Sequence, residues 1–343
     1  MCAICGIINK EKFVDEALLR KMTDIMEYRG PDESGYFVKG RVGLGHRRLK
    51  IIDLVTGRQP FSNEDGTVFL VCNGEIYNFK ELRKPLEEKG HRFKSNSDNE
   101  VILHLYEEKG IDCLNDIRGM FAFAIWDDKN QKLFLARDRI GKKPLVYCET
   151  AEGIIFASEI KALLLHPLLK KEIDPVALDL FLTYQAVPSP YTIFKRIQKL
   201  PSAHYLIWQD REIKEIKRYW DINFTKKIKF KSEYEYSELL WTKLVEATKL
   251  RMIADVPLGA FLSGGIDSST IVGIMSTLSR IPVKTFSIGF GEKDFDELKY
   301  AKIVADRFST EHHQFIVKPE VMNVLPELVW HYNEPFGDSS MVP

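Results

Sequence analysis

The chain has 343 residues with 49 basic and 49 acidic side chains, so its formal net charge of +0 gives no reason to expect a nucleic acid or an anionic membrane as partner. Hydrophobic residues make up 45% of the chain without forming a run of roughly 18 apolar residues, which excludes a membrane-spanning helix. The length predicts two domains, and the short apolar stretch after Met1, which no basic segment precedes, predicts a cytoplasmic protein without a secretory signal.

The chain begins MCAICGIINK, in which Cys2 and Cys5 have Cys-x-x-Cys spacing. This spacing has three interpretations: half of a zinc site, a redox pair, or a catalytic cysteine at the start of the chain. A zinc site needs a second such pair or spaced histidines, whereas the close pair His312 and His313 is adjacent. A redox pair should open a helix, but AICGIIN predicts a strand. The 5 scattered cysteines also do not resemble a disulfide framework.

The third interpretation has a chemical mechanism. Initiator methionine is commonly removed before a small residue, which would leave Cys2 with a thiol and a free α-amine. An amine that titrates near about 7.7 to 8.0 can take the proton of a thiol that titrates near about 8.5. The alternative is a small buried cysteine on a strand, and position alone does not decide between them. We treat Cys5 as structural.

The next element, TVFLVCNGEIYN, predicts a strand that ends in Asn73-Gly74. An Asn side chain and a backbone N–H are suitable donors to an oxyanion. The alternative is a hairpin turn, for which Asn-Gly is the strongest short signal. The following NFKELRKPLEEKG predicts a helix instead of a return strand, so the turn would be exposed to a ligand that Glu75 could also contact.

Charged residues flank this strand in the sequence. Arg47 and Arg48 precede an apolar run, KIIDL, that predicts a strand, and a guanidinium is a natural partner for a carboxylate. SNSDNEVILHLYEEKG predicts a helix with Asp98 near its start. Asp98 has two interpretations: it caps the helix, or it binds the ammonium group of a ligand. The arginines bind a carboxylate, or they are solvated charges in a loop.

These pieces resemble the class II, N-terminal-nucleophile glutamine amidotransferase domain. The matching stretches are MCAICGI, YRGPDESG, GHRRLKIIDL, NGEIYN, SNSDNEVI, RGMFAFAIWD, ARDRIGKKPLVY and FASEIKAL. Their order and spacing cover the first half of the chain. The resemblance implies an α+β N-terminal-nucleophile sandwich with αββα layers.

The resemblance also implies roles for individual positions. Cys2 would attack the side-chain amide of glutamine, form a thioester and release ammonia, while Asn73 and the Gly74 amide would form the oxyanion hole. The residues that it assigns to the charged ends of glutamine are Arg48 with the backbone of Ile51 and Ile52 for the carboxylate, and Glu75 with Asp98 for the ammonium group.

The second half begins after LPSAHYLIWQDREIKEIKRYWDI, which predicts a closing hairpin, and after a basic linker. We therefore predict domains at 2–222 and 235–343. A helix follows, then a strand, GAFL, and the motif SGGIDSS. Small residues before a helix place backbone N–H groups and hydroxyls, among them that of Ser269, where they can hold phosphate. A carboxylate there, Asp267, predicts Mg²⁺, because it would otherwise repel the phosphate.

This motif resembles the pyrophosphate loop of the ATP pyrophosphatase superfamily, which implies an α/β doubly wound nucleotide-binding domain. The implied nucleotide ligands are Leu262, Ser263, Gly264, Gly265, Asp267, Ser268 and Ile288, with Leu262 and Ile288 beside the adenine. Asp296 opens the next predicted helix, either as a cap or as a catalytic contact.

A glutaminase joined to such a domain resembles the glutamine-hydrolysing asparagine synthetase family. That resemblance implies glutamine, aspartate and ATP as substrates, Mg²⁺ as cofactor, and release of AMP and pyrophosphate. It does not decide whether the protein forms a homodimer. The family continues beyond NEPFGDSSMVP, so we expect the α/β domain to be incomplete. The alternatives are a glutaminase or amidotransferase with another acceptor, a fragment without synthetase activity, and a non-catalytic regulatory protein.

Overall fold

The computed structural model describes residues 1–230, 232–290, 297–317 and 321–338. The chain divides into two compact units. The first comprises Met1–Ile222 together with His331–Gly337, and the second comprises Asn223–Trp330 and the residues after Gly337. Among the described helices, none combines the length and the apolar character that a membrane crossing requires.

Two antiparallel six-stranded sheets form the first unit. The first sheet contains β1 (Ala3–Asn9), β2 (Glu33–Lys39), β3 (Val42–Arg48), β8 (Val146–Thr150), β9 (Gly153–Ala157) and β10 (Gln198–Lys199), in the order β10-β8-β9-β1-β3-β2. The second contains β4 (Phe61–Ser62), β5 (Val68–Ile76), β6 (Gly119–Asp127), β7 (Lys132–Arg137), β11 (His204–Gln209) and β12 (Glu212–Arg218), in the order β12-β11-β7-β6-β5-β4. The predicted closing hairpin is the antiparallel pair β11–β12.

Helices connect these strands, and some of them pack on the outer faces of the sheets. They are α1 (Glu16–Asp24), α2 (Phe79–Glu88), α3 (Glu100–Lys109), α4 (Cys113–Asp116), α5 (Ile160–Leu163) and α6 (Pro175–Tyr184), with single 3-10 turns at Glu27–Arg29 and Gly110–Asp112. α1 packs on β1 and β3, and α3 packs on β4 and β5. The layers are therefore αββα, and the predicted sandwich is confirmed.

β1 is buried along its whole length because both of its faces are covered. Its alternate side chains point to opposite faces, so Ile4 and Ile8 join the core between the sheets, while Cys5 and Ile7 join the core beneath α1. Cys5 Sγ lies 3.2 Å from Thr23 Oγ1, and burial raises the pKa of the Cys5 thiol to about 12. Cys5 therefore packs as a core residue in a strand that begins beside Cys2.

The second unit alternates strands and helices. Its parallel strands are β13 (Gly259–Phe261), β14 (Lys284–Phe290) and β15 (Glu311–Val317), in that order across the sheet. Its helices are α7 (Glu233–Arg251), α8 (Ile266–Leu278), α9 (Leu298–Phe308) and α10 (Val321–Tyr332). A small core of Leu262, Val272, Ala301 and Ala305 joins β13, α8 and α9. This arrangement is the beginning of the predicted α/β doubly wound domain.

Candidate active site

A cavity of about 190 Å³ lies at the end of the sandwich where β1 begins and β3 ends. The residues predicted to bind glutamine all line it: Cys2, Arg48, Ile51, Ile52, Asn73, Gly74, Glu75 and Asp98. They come from β3, β5, the chain start and two connections. The fold thus gathers at one place residues that are up to a hundred positions apart in the sequence.

Cys2 precedes β1 and has a half-buried side chain. Its Sγ accepts a hydrogen bond from the Leu49 N–H at 3.4 Å. Burial raises the pKa of the Cys2 thiol, and the Leu49 N–H opposes this shift. Burial also lowers the pKa of the α-amine of Met1, which is the chain terminus while Met1 is attached. A thiol that holds its proton needs a base nearby, and an α-amine on Cys2 itself would supply one after removal of Met1.

Asn73 has a buried side-chain amide that lines the same cavity. Its side chain is 0% exposed, and neither its Nδ2 nor its Oδ1 has a hydrogen-bond partner within the described part of the chain. Burying an unpaired amide costs about 1–3 kcal/mol, so such a group calls for a ligand. Because Asn73 lines the cavity of Cys2, its Nδ2 can donate to an oxygen that forms there.

Gly74 lies in the interior of β5, which continues to Ile76 and pairs with β6. The hairpin-turn alternative for Asn73-Gly74 is therefore wrong, since the pairing with β6 extends the strand. Alternate residues of a strand turn their N–H groups to the same side. The Cys72 N–H is donated to Gln59 and the Ile76 N–H to Asp98, which leaves the Gly74 N–H between them available at the cavity.

Arg48 is buried at the end of β3, and its guanidinium binds the backbone of a segment that lines the cavity. Its Nη2 donates to the Ile52 carbonyl at 3.2 Å and also to the carbonyl of Asp53, while Nη1 donates to Glu33 Oε2 at 3.2 Å. The predicted strand KIIDL is wrong: these residues form a connection that Asp53 turns with φ +60 and a hydrogen bond from the Thr56 N–H. Arg48 therefore positions the backbone that faces the ligand.

Asp98 is buried and accepts the Ile76 N–H at 2.6 Å. The helix-cap alternative is wrong, because Asn99 occupies the N-cap position of α3 and Asp98 bonds to β5 instead. Burial raises the pKa of Asp98 to about 7, although the Ile76 N–H opposes this shift. Burial also raises the pKa of Glu75. Buried Asp98 and half-buried Glu75 both line the cavity, where their carboxyl groups suit a cation.

The predicted phosphate loop joins β13 to α8. Gly264 has φ +83, and a Cβ there would clash with the backbone of Tyr300, so the turn requires glycine. Ser263 Oγ lies 3.1 Å from Ser268 Oγ and accepts the Gly265 N–H at 3.3 Å. Among the described residues no side chain caps α8, so its first N–H groups stay available to an anion.

The structure divides the predicted nucleotide ligands between two concave surfaces. A cavity of about 360 Å³ is lined by Leu262, Ser263, Ser268 and Ile288. Asp267 lies in the first turn of α8 and lines a neighbouring cavity instead, together with Trp241. Asp296 lies outside the described residues. The two serine hydroxyls and the residues predicted to flank adenine thus line one cavity, whereas the predicted metal ligand lines the other.

Residues 1–220 match the family described as the glutamine amidotransferase domain, and residues 240–343 match the asparagine synthase family. Asparagine synthetase [glutamine-hydrolyzing] 1 of Bacillus subtilis is 39% identical to this chain over 100% of the chain and 54% of that protein. A putative glutamine-hydrolysing asparagine synthetase of Methanocaldococcus jannaschii is 40% identical over 100% of the chain and 70% of that protein. The chain belongs to the glutamine-hydrolysing asparagine synthetase family.

The chain spans about half the length of several of these family members, since it covers 54% of the first Bacillus subtilis protein and 47% of the second. Amidase chyE of Penicillium rubens is 34% identical over 95% of the chain and 50% of that protein. Among solved structures, a glutamine phosphoribosylpyrophosphate amidotransferase of Bacillus subtilis has 17% identity and a TM-score of 0.47 over 94% of the chain and 70% of the solved chain.

Lys143 is a cavity residue that the sequence reasoning missed. It is 4% exposed and lines the cavity with Cys2 and Glu75, whose negative forms would attract it. Burial lowers the pKa of Lys143. In ARDRIGKKPLVY this lysine follows an identical one in a turn, so the sequence offers no sign that one of the two is buried. Its charge favours the thiolate of Cys2.

The YRGPD segment holds the backbone of the candidate nucleophile in this family member. Arg29 Nε donates to the Cys2 carbonyl at 3.3 Å, and Arg29 Nη1 is paired with Glu159 Oε1 at 2.8 Å. A Cβ on Gly30 would clash with the backbone of Arg47, so glycine permits the close approach of this segment to β3. The segment therefore holds Cys2 through its backbone carbonyl.

Proposed function

We propose that residues 2–222 form a glutaminase domain, that 235–343 begin a synthetase domain, and that the protein contributes to glutamine-dependent asparagine synthesis. Glutamine would be hydrolysed to glutamate and ammonia, and the ammonia would be transferred to aspartate activated by ATP as its adenylate, with release of AMP and pyrophosphate. Family membership supports this proposal. The single observation that carries it is the buried amide of Asn73, which lines the cavity of Cys2 and has no hydrogen-bond partner among the residues that the structure describes.

Removal of Met1 would give Cys2 the α-amine that acts as its base. The amine takes the thiol proton, Sγ bonds to the amide carbon of glutamine, and the carbonyl becomes an oxyanion that Asn73 Nδ2 and the Gly74 N–H stabilise. Return of the proton to the leaving nitrogen breaks the C–N bond and releases ammonia. Water then attacks the thioester by the same route, yielding glutamate and free thiol.

Charge complementarity supports glutamine as the ligand. Free glutamine has one carboxylate and one ammonium group. Arg48 and the N–H groups of the connection it holds, at Ile51 and Ile52, supply the positive end of the cavity, and Glu75 with Asp98 supplies the negative end. A ligand that lacks the ammonium group would leave the carboxyl groups of Asp98 and Glu75 without an opposite charge, so glutamine should be preferred over simple amides.

Glutamine affinity should fall as the pH falls through about 7, because only ionised Asp98 attracts the ammonium group and burial raises the pKa of this carboxyl to about 7. Below that value the affinity of the Cys2→Ala chain should drop by up to about tenfold per pH unit, and above it the affinity should level off. Calorimetry of glutamine binding from about pH 5.5 to about pH 8.5 measures this change in affinity on both sides of the pKa. Asp98→Asn in the same background should bind about 10- to 100-fold more weakly with a flatter profile; an unchanged profile would remove Asp98 from the site.

For the synthetase step, the loop at α8 would bind the phosphates of ATP. Gly264 and Gly265 shape the turn, and Ser263 and Ser268 supply hydroxyls beside the uncapped helix N-terminus. The exposed carboxylate of Asp267 fits Mg²⁺, which takes one or two carboxylates and completes its shell with water and phosphate. When bound, the ion would neutralise phosphate charge and favour attack at the α-phosphorus.

Asp267→Asn should have opposite effects on ATP binding with and without magnesium. With Mg²⁺ the variant should bind ATP at least about tenfold more weakly, because it loses an oxygen ligand. In chelator it should bind more tightly, because a carboxylate that repels phosphate is gone. Equilibrium dialysis with labelled ATP measures both. Asp306→Asn, an exposed substitution on α9, is the matched control, and equal Mg²⁺-dependent affinity in all three chains would refute the assignment.

An amidotransferase with another acceptor is the second candidate, and the likeness to amidase chyE favours keeping it. Glutamate and AMP should be measured together, with and without ATP and aspartate. Asparagine synthesis predicts AMP only when aspartate is present, whereas the alternative predicts glutamate release that does not depend on aspartate.

We also place the protein in the cytoplasm, which its 5 free cysteines support.

A further inference from the structure

A second cluster of ionisable side chains lies where α3 packs against β4 and β5. Its members are Glu64, His91, His104 and Glu107, and none of them lines the cavity of Cys2. One potential ligand atom from each lies within 4.8 Å of the others. We propose that this cluster, here called the His/Glu site, binds one divalent transition-metal ion, for which zinc is the best match. The proposal is independent of the proposed glutaminase activity.

The donor separations suit a tetrahedral ion. Zinc bonds of about 2.0–2.2 Å at tetrahedral angles place neighbouring donors roughly 3.3–3.6 Å apart. The Nδ1–Oε2 distance is 3.0 Å from His104 to Glu107 and 3.6 Å from His91 to Glu107. Glu64 Oε1 lies 3.7 Å from His91 Nδ1, and Glu64 Oε2 lies 3.9 Å from His104 Nδ1. The two separations from Glu107 Oε2 bracket the expected edge, and a movement of the Glu64 side chain would bring Oε2 to the same ion.

The orientation of both imidazoles gives a second, independent argument. A histidine that binds a metal commonly turns its other ring nitrogen to a carboxylate, which fixes its tautomer. His91 Nε2 lies 3.1 Å from Glu108 Oε1. His104 is buried, and its Nε2 lies 3.8 Å from Glu100 Oε1 without a hydrogen-bond partner among the described residues. Each ring therefore directs Nδ1 to the centre and Nε2 to an outer carboxylate.

The two carboxylate ligands are also held from outside. Glu107 Oε1 accepts from Asn63 Nδ2 at 2.7 Å, and Glu64 Oε1 accepts from the Arg92 N–H at 2.6 Å. One oxygen of each group is thus fixed, which leaves the other for an ion. Glu64 and Glu107 are partly exposed, whereas His104 is buried, so an ion can enter from solvent.

A proton is the competitor of the metal at this site. In the metal-free cluster His104 Nδ1 lies 3.0 Å from Glu107 Oε2, and protons shared in this way would occupy the place of the ion. Metal binding must displace these protons and should weaken as the pH falls. The ligands come from the β4–β5 and α2–α3 connections and from α3 itself. A bound ion would therefore tie together the segments that lead to Asp98.

Cobalt binding to the full 343-residue chain tests the proposal. The chain should carry Cys2→Ala, because a free amino-terminal cysteine is itself a metal chelator. After treatment with a chelator and dialysis, Co²⁺ should bind with one ion per chain, show the intense visible bands of tetrahedral coordination without a thiolate charge-transfer band, and be displaced by Zn²⁺. His91→Gln, which removes one ligand, should weaken binding at least about tenfold.

Two further variants complete the test. Glu108→Gln removes an outer carboxylate, keeps all four ligands and should weaken binding about tenfold even if His91→Gln fails to fold. His204→Gln, a substitution on β11 outside the His/Glu site, should bind as the parent does. Absence of the tetrahedral spectrum in the parent, or equal affinity in the parent and both site variants, would show that the cluster is only an ion-pair network.

Discussion

Cys2→Ala should lower glutamate release from glutamine by at least about a thousandfold. The substitution removes the atom that forms the thioester, and no other residue of the cavity can replace it as a nucleophile in the same geometry. The binding groups for glutamine stay in place, so the variant should still bind glutamine. Initial rates of glutamate formation at saturating glutamine, with calorimetry of glutamine binding alongside, measure the two effects separately.

Cys5→Ala is the matched control for this experiment. Cys5 belongs to the same strand, but its side chain packs beneath α1 and not in the cavity. That variant should lose stability and keep its rate of glutamate release when folded. If Cys2→Ala retained more than about a tenth of the parent rate, or if Cys5→Ala lost activity while folded, the assignment of the nucleophile would be wrong.

Asn73→Ala should lower kcat for glutamate release by about 100- to 1,000-fold with little change in KM. The buried amide of Asn73 has no partner within the described residues, so its hydrogen bond is available to the oxyanion that exists only during reaction. Alanine leaves the strand β5 and its pairing with β6 intact. Steady-state kinetics at several glutamine concentrations separate the kcat effect from the KM effect.

Asn78→Ala is the control for a buried asparagine at the end of the same segment. Asn78 donates to the Asp116 carbonyl at 2.9 Å and accepts the Arg118 N–H at 2.9 Å, so its loss should reduce stability and leave kcat close to the parent value. An Asn73→Ala variant with raised KM and unchanged kcat would make Asn73 a substrate-binding residue and contradict its role at the oxyanion.

The layers of the fold were predicted from the resemblance to a known family, whereas single elements were predicted from local patterns. AICGII is apolar and forms most of a strand buried on both faces, and SGGIDSS places small residues where a strand passes into a helix. The bounds were less predictable. Asn73-Gly74 has the sequence of a hairpin turn, yet pairing with β6 keeps both residues in a strand. KIIDL has the composition of a strand, yet the bonds of Arg48 hold it as a connection.

The residues of the candidate site that belong to a motif could be predicted from the sequence. The residues that only the packing of the fold brings to the site could not. Cys2, Asn73 and Asp98 belong to recognisable stretches, and the fold brings them to one cavity. The burial of Lys143 depends on strands that lie far from it in the sequence. The His/Glu site draws its ligands from three segments, so a search for closely spaced cysteines or histidines does not find it.

The central claim is that Cys2, freed by removal of Met1, forms a thioester with glutamine. Mass spectrometry of the chain, quenched in acid during turnover and digested, tests this most directly. The expected product is an amino-terminal peptide that begins at Cys2 and carries one added γ-glutamyl group, with no such adduct in a chain that keeps an uncleaved amino-terminal extension. An adduct on another residue, or undiminished glutamate release by the extended chain, would contradict it.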